Sequence, residues 1–455
     1  VSFRRTLILA VVVAVLGAWV YFVESPRMQA DKAPDRLLPL DSGSVSTVTL
    51  SYAEAPTIEL VRQDDRWQMT EPVATAADKL TVERLLTTIA ELELERRIDT
   101  DQRQALEVYG LGEQGEQANI TLGLADGTTL PTIIVGRTTP VGFSAFARLA
   151  DSQEVTVTPL IFHTGVKKTL FDMREKRLLQ FNPANVIGLE LSSPETGRIT
   201  IERHGDRWRI TEPVVDEADS SEVGALLASV PQIKASAFHD GEDPGRKFGL
   251  KRPTLSLAMK IGGHGWTRLA LGGEVADSSP PAIYAARLDD GQVVEVDRSL
   301  LVMLGKDLAA LRNKRLFHCE AGEVTRITFE RAGSDGFAIE QNDTGHWALG
   351  SNANGSLNQA LVERVRNGLA DMAGARVIEA ASDDLGIYGL AQPETEVELF
   401  ARDGSSCGRA LAGKVAEGDG SRYFVKRHDG DMVMGVPEYL YSRLDRMAAD
   451  LFEKQ

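Results

Sequence analysis

One stretch of this sequence occurs three times, and a repeat of domain size constrains the fold more than any other feature of the chain. It opens as Trp67-Gln68-Met69-Thr70-Glu71-Pro72, passes Asp78 into an amphipathic run, and closes at Tyr109-Gly110-Leu111. The second copy runs from Trp208-Arg209-Ile210-Thr211-Glu212-Pro213 through Asp219 to Phe248-Gly249-Leu250. The third runs from Trp347 through Asn358 to Tyr388-Gly389-Leu390. Asp78, Asp219 and Asn358 stand at one offset from their tryptophans. A period of about 140 residues is far longer than a solenoid unit and long enough for each copy to bury its own core.

Each copy begins with alternating apolar and polar residues, the period of a half-buried strand. These are Val48, Leu50 and Tyr52; Ile187, Leu189 and Leu191; and Ile327 and Phe329. A second strand and a polar turn then lead into the tryptophan strand, predicting a hairpin. Beyond the proline, Asp78, Asp219 and Asn358 are placed to cap helices, because their side-chain oxygens can accept from orphan backbone N–H groups. Leu80, Leu85, Leu86, Ile89, Leu92 and Leu94 supply the apolar stripe of the first helix. Leu226, Leu227 and Val230 supply the second, and Leu361, Val365 and Leu369 the third. After each aromatic-Gly-Leu come further hairpins, with Ala147-Arg148, Ala286-Arg287 and Val425-Lys426 read as equivalent. Each copy closes on a charged cluster: Arg174-Glu175-Lys176-Arg177, Arg312-Asn313-Lys314-Arg315 and, more loosely, Arg443-Leu444-Asp445-Arg446. The expected unit is α+β and strand-rich, mostly antiparallel, with one long helix per copy. The third copy lacks Thr-Glu-Pro, as a terminal repeat often departs from its array.

Arg4 and Arg5 precede an uncharged run from Thr6 to Val23, close to the minimum for a membrane-spanning helix. Trp19 and Tyr21 sit near its far end, where aromatic rings favour the interface. Glu24-Ser25-Pro26-Arg27 follows in place of a small-x-small cleavage pattern, which favours an uncleaved signal-anchor over a signal peptide. The two arginines put the N-terminus in the cytoplasm and the bulk of the chain in the periplasm or another extracytoplasmic space. Val1 suggests a non-ATG start and hence a bacterial chain, anchored in the inner membrane. The expected organisation is an anchor at 1–23, a Pro/Asp/Ser-rich tether at 24–44, and repeats at 45–182, 183–320 and 321–455.

A net charge of −16 argues against nucleic acid, which is bound by clustered lysine and arginine. The two cysteines, Cys319 and Cys407, have no metal-ligand spacing. Pairing is open to them in an oxidising compartment, but two separate buried thiols are the favoured reading.

Three catalytic strings fail on repeat register. Gly110 to Gly115 fits GxGxxG but follows a helix and precedes a strand, the reverse of a dinucleotide fingerprint. Gly408 to Lys414 fits GxxxxGK, yet Val415 replaces the magnesium-binding hydroxyl and the segment ends a strand. Gly404 to Gly408 fits GxSxG but lies between strands. His239-Asp240-Gly241 and His428-Asp429-Gly430 read as turns. Glu71 and Glu212 recur identically, but an acid kept in two copies and dropped from the third suits strand closure better than catalysis. No catalytic, cofactor-binding or metal residue is assigned. Arg174, Lys176, Arg177, Arg312, Lys314 and Arg315 are the candidate partner-binding residues, although cations at helix ends are commonplace.

The tryptophan strand ending in proline, the aromatic-Gly-Leu and the Arg-x-Lys-Arg segment, in fixed order after an N-terminal span, resemble a bacterial envelope family, domain of unknown function 4340. The similarity covers nearly all of the chain after residue 44 and is weakest in the third copy. Membership implies association with gliding-motility-type ABC transporter components, namely a permease and a large membrane-anchored auxiliary subunit. It implies no catalytic residues. The leading expectation is therefore a non-catalytic, membrane-anchored accessory or scaffold subunit of an ABC-type envelope system. An envelope glycan- or peptide-binding module and an uncharacterised hydrolase are the alternatives.

Overall fold

The computed structural model describes Trp19 and residues 35–98, 103–112, 118–140, 142–243, 247–289, 291–350, 356–379, 384–417 and 420–452. Apart from Trp19, the expected membrane-spanning run lies outside the described residues. Among the described residues, no helix is long and apolar enough to cross a membrane.

The chain forms three tandem strand-rich repeats, each built on one antiparallel sheet. The first sheet contains β1 (Val45–Tyr52), β2 (Ala55–Gln63), β3 (Arg66–Glu71), β4 (Thr75–Ala76), β5 (Arg96–Ile98), β6 (Ala118–Leu124), β7 (Ile133–Thr138), β8 (Ser144–Leu149) and β9 (Val155–Pro159). Its order is β4-β3-β2-β1-β6-β7-β8-β9-β5. The second copy repeats it with Asp216–Glu217, Arg207–Glu212, Gly197–His204, Val186–Ser193, Leu255–Ile261, Gly265–Glu274, Ala282–Arg287 and Val293–Asp297 in succession. The third runs Trp347–Leu349, Phe337–Gln341, Val324–Arg331, Thr395–Ala401, Ser406–Glu417, Gly420–Arg427, Val433–Val436 and Arg376–Glu379.

Period-two alternation sends Val48, Leu50, Ile58, Leu60, Trp67 and Met69 into one core, beneath a helix. Trp67, Trp208 and Trp347 are all buried and pair across their hairpins with Arg62, Arg203 and Gln341, so the three indoles occupy equivalent places. One strand expectation shifts. Ile187 faces solvent, because an irregularity between Val186 and Gly188 turns Val186 inward instead. The β8 register also corrects the reading of the second copy by one residue. Val135 opposes Ala147, Leu271 opposes Ala285 and Ala412 opposes Val425.

The main helices are Lys79–Ala90, Ser220–Ser229 and Gln359–Ala370. The first ends before Leu92 and Leu94, which reach the same core from the segment beyond it, while Leu80 is exposed on its first turn. All three caps form. Asp78 accepts from Thr81 N at 2.7 Å, Asp219 from Ser221 N and Glu222 N, and Asn358 from Leu361 N at 3.0 Å. Asp78→Ala is expected to cost about 1 kcal/mol, the usual price of a lost N-cap, read as a lower urea midpoint with an unchanged m-value.

A second apolar layer lies on the opposite face of β7, β8 and β9. Ile133 and Val135 point to the helix-covered core, whereas Ile134, Phe146, Val155 and Val157 point away and are covered by Leu106 and Leu111. The aromatic-Gly-Leu motif makes this layer. Its aromatic ring meets a second ring edge to face in every copy: Tyr109 with Phe146, Phe248 with Tyr284, and Tyr388 with Phe424, at 4.7, 4.6 and 5.0 Å. The motif's backbone presses onto a strand glycine. A Cβ on Gly136 would stand 2.4 Å from the Tyr109 carbonyl oxygen, and one on Gly272 would stand 2.2 Å from that of Phe248. Gly136→Ala should therefore destabilise by about 1–3 kcal/mol through forced backbone displacement, read by urea unfolding. Gly127→Ala, at an open turn, meets no neighbour and carries only its positive-φ strain.

Each repeat starts earlier than its first long strand. Arg36, Arg177 and Arg315 form isolated bridges with Glu93, Lys234 and Ala373, and each is followed by two apolar residues. Leu37 and Leu38 join the first core, and Leu316 and Phe317 the third. The expected tether to residue 44 thus gives way to folded chain by Asp35. The closing segment of one copy is also the opening segment of the next. Bridges from Ala77 to Arg174, Ala218 to Arg312 and Leu357 to Phe452 show that Phe452, rather than Arg443, takes the arginine's place in the third copy.

The third copy holds its tryptophan strand by different bonds. In the first two, the tryptophan carbonyl accepts from Ala77 N or Ala218 N. In the third, the Gln359 side chain bonds both Trp347 N and Trp347 O, at 2.8 and 2.9 Å. Cys319 and Cys407 form a disulfide, contrary to the expectation of separate thiols. The segment from Leu316 runs along the strand holding Cys407, with His318 N donating to Cys407 O at 2.8 Å, and this brings the sulfurs together.

The chain divides into two compact units. One ends at Leu178 and takes in Lys234–Gly241; the other comprises Leu179–Ile233 and Glu242–Gln455.

Candidate functional site

The Arg-x-Lys-Arg segments were the sequence's candidate contact residues, and the structure gives their six cations three different environments. Arg174 and Arg312 follow single helical turns (Leu170–Met173 and Leu308–Leu311) and are almost completely buried, at 1% and 2% exposure. Lys176 donates to the carbonyls of Asp172 and Arg174, and Lys314 to those of Ala310 and Arg312. Both lysines thus satisfy carbonyls that the short helix leaves open. Arg177 and Arg315 remain half-exposed. Arg177 holds Glu175, and Arg315 reaches Glu320 and Asp371. The Glu175 carboxyl feels burial, which works to raise its pKa, but Arg177 holds it below the usual carboxylate range.

The buried arginines tie consecutive repeats. Within the first unit, Arg174 makes a two-pronged ion pair with Asp240, at 2.6 and 3.0 Å, and its guanidinium carbon lies 3.8 Å from the centre of the Phe238 ring. Within the second unit, Arg312 donates through Nε to Asp216 at 2.6 Å and through Nη2 to Asp431. Asp216 accepts on its other oxygen from Arg427 at 2.8 Å. Burial pushes the Asp216 carboxyl toward protonation, but Arg427 and Arg312 outweigh it and hold its pKa below the ordinary value. Next to them Lys426 is buried, which lowers its pKa, and it donates to Arg427 O and Gly430 O. Glu217 faces His318 at 3.5 Å and is held low chiefly by that contact.

Sequence reasoning missed Asp216, Asp240, Arg427 and Asp431. Three of these lie in or beside the His-Asp-Gly strings read as turns. The remaining clue was Asp216-Glu217, charged residues where the first copy has Thr75-Ala76. The other motifs fall where register placed them. Gly408 to Lys414 lies inside one strand, and Ser406 of the GxSxG string donates to Glu398 at 2.7 Å. The last part of the GxGxxG string lies outside the described residues. Glu71 and Glu212 end their strands, exposed, before cis prolines. Among the described residues, no group of three or more His, Cys, Asp or Glu could hold a metal ion. The arrangement is one of paired charges and packed rings, with the recurring tryptophans, helix caps, aromatic rings and buried arginines used inside the fold.

A family model described as a domain of unknown function (DUF4340) matches residues 67–213, 208–356 and 347–455. The chain belongs to the DUF4340 family. Each DUF4340 match begins at a tryptophan, and the first two run past the next one. The structural repeat instead begins at Arg36, Arg177 or Arg315. A tandem array has no unique starting point in sequence, and the sheet sets it here by joining β1 and β2 to strands on both sides of the helix. No curated protein matches this DUF4340 chain.

Proposed function

We propose that this protein is a non-catalytic scaffold: a membrane-anchored, extracytoplasmic accessory subunit of an ABC-type envelope transport system. The observation that carries the reading is the use made of the recurring residues. Tryptophans, helix caps, aromatic-Gly-Leu motifs and both buried arginines are all spent on packing the repeats and tying them together. The Cys319–Cys407 disulfide supports an oxidising compartment. The apolar run Thr6 to Val23 supports a single-pass anchor with a cytoplasmic N-terminus. Partnership with an ABC permease and an auxiliary membrane subunit follows from the family resemblance, and Arg177 and Arg315, the half-exposed cations of the closing segments, are the contacts to mutate first. The test is affinity purification of the full-length protein in mild detergent with mass spectrometry. Stoichiometric recovery of a permease and its ATPase is expected. A protein that comes down alone would favour the glycan- or peptide-binding alternative.

A further inference from the structure

The first repeat differs from its siblings at one exposed tip. Phe143, in the β7–β8 connection, is 85% exposed, and Ile161, on the short helix Leu160–Val166, is 77% exposed. Leu160 N donates to Phe143 O, so the two elements are joined. Lys167 is exposed just after that helix, followed by the partly exposed Lys168. The spacing among these four positions is the same in every copy, counted from the edge-to-face rings Phe146, Tyr284 and Phe424. The second copy has Pro281, Ser299, Gly305 and Lys306 there, with Lys306 engaged by Glu222 at 2.9 Å. The third has Ser421, Tyr439, Asp445 and Arg446. The combination of two large apolar side chains and two lysines therefore belongs to the first copy alone.

It also belongs to the place where the chain arrives from its anchor. Asp35, where the described part of the first repeat begins, accepts from Leu94 N at 2.9 Å and pairs with Arg97 at 2.7 Å. The next residue, Glu95, accepts from the Ser144 hydroxyl at 2.6 Å, immediately beside Phe143. Between Val23 and Asp35 the chain can span at most about 40 Å when fully extended, so the tip stays within reach of the membrane that holds the anchor.

We infer that the Phe143–Ile161 tip rests on the lipid surface beside the anchor, a reading that itself depends on the proposed membrane anchoring. Phe143 and Ile161 enter the interfacial zone, where aromatic and aliphatic side chains gain from partial burial. Lys167 and Lys168 meet headgroup phosphates, in a chain whose overall charge of −16 would otherwise repel an anionic leaflet. Two acids of this region, Asp172 and Glu95, are already engaged. Asp172 sits in the field of Lys168, and Glu95 is occupied by Ser144.

The test uses the full chain reconstituted in vesicles of phosphatidylethanolamine and phosphatidylglycerol with brominated acyl chains. One fluorophore is carried at Ala14→Cys, Ile161→Cys or, as the control, Val302→Cys, an equally exposed site on the second copy. Strong quenching at positions 14 and 161, several-fold above that at 302, is expected. Phe143→Ser with Lys167→Glu should then abolish quenching at 161 while leaving 14 unchanged, since both changes are at exposed residues. Quenching at 14 with none at 161 above the 302 control would overturn the lipid contact and leave the anchor standing. Absence of quenching at 14 would remove the anchor reading and the lipid contact with it.

Discussion

Arg312→Ala is expected to destabilise the second unit by about 3–5 kcal/mol, because it leaves a carboxylate buried with half of its compensation gone. Asp216 is 8% exposed and receives one oxygen's contact from Arg312 and the other's from Arg427. The equivalent change in the first unit, Arg174→Ala, should cost less, since its partner Asp240 is 33% exposed and water can take the guanidinium's place. The comparison is the useful measurement. If both variants lose the same stability in urea, the cost arises from lost side-chain packing rather than from the stranded charge. Adding Asp216→Ala to Arg312→Ala should recover part of the loss, giving a coupling energy of about 1–3 kcal/mol in the cycle. The pH dependence has a definite sign. The folded-state pKa of Asp216 is depressed, so its contribution is fully present above the ordinary carboxylate value of about 4 and lost as pH falls through the folded value. Removing Arg312 lets burial count for more, and acid unfolding of the second unit should begin at a higher pH.

The legible parts of this fold were those set by local pattern. Trp67 and Met69 alternate with polar neighbours, and Asp78 stands before an apolar helical run, so strand, turn and cap follow from spacing alone. The opening segments were illegible for the opposite reason. Arg36-Leu37-Leu38 is too short to show a period and sits in a Pro/Asp-rich stretch, so its place in the core depends on a bridge to Glu93 far along the chain. The candidate cations show the same division. Charge at a helix end is visible in sequence, but whether Arg174 and Arg177 face solvent or a neighbouring repeat is decided by strands that arrive more than fifty residues later. Phe452 makes the point in reverse. It lies where the arginine would be, and charge matching therefore drew attention to Arg443.

Removing the disulfide should cost about 2–4 kcal/mol in the third repeat, since the bond closes a loop spanning 88 residues of sequence and loops of that size lose the most unfolded-state entropy. The first copy shows what the bond replaces. Counted along the repeat, Leu40 and Leu130 hold the places of Cys319 and Cys407, and both pack against the first core as apolar side chains. Three forms separate the contributions: the oxidised protein, Cys319→Ala with Cys407→Ala, and Cys319→Leu with Cys407→Leu. The alanine pair loses the cross-link and leaves a void beside Leu316 and Phe317 in the same core. The leucine pair loses the cross-link but restores the apolar contact of the first copy, so it should lie between the other two. Unfolding in urea, followed with and without dithiothreitol, reads all three. Only the oxidised protein should respond to the reductant. Equal midpoints for its oxidised and reduced forms would show that the third repeat draws its stability from its core alone. The same comparison bears on compartment. A repeat that needs its disulfide folds fully only where thiols are oxidised, which is where the proposed anchor would deliver it.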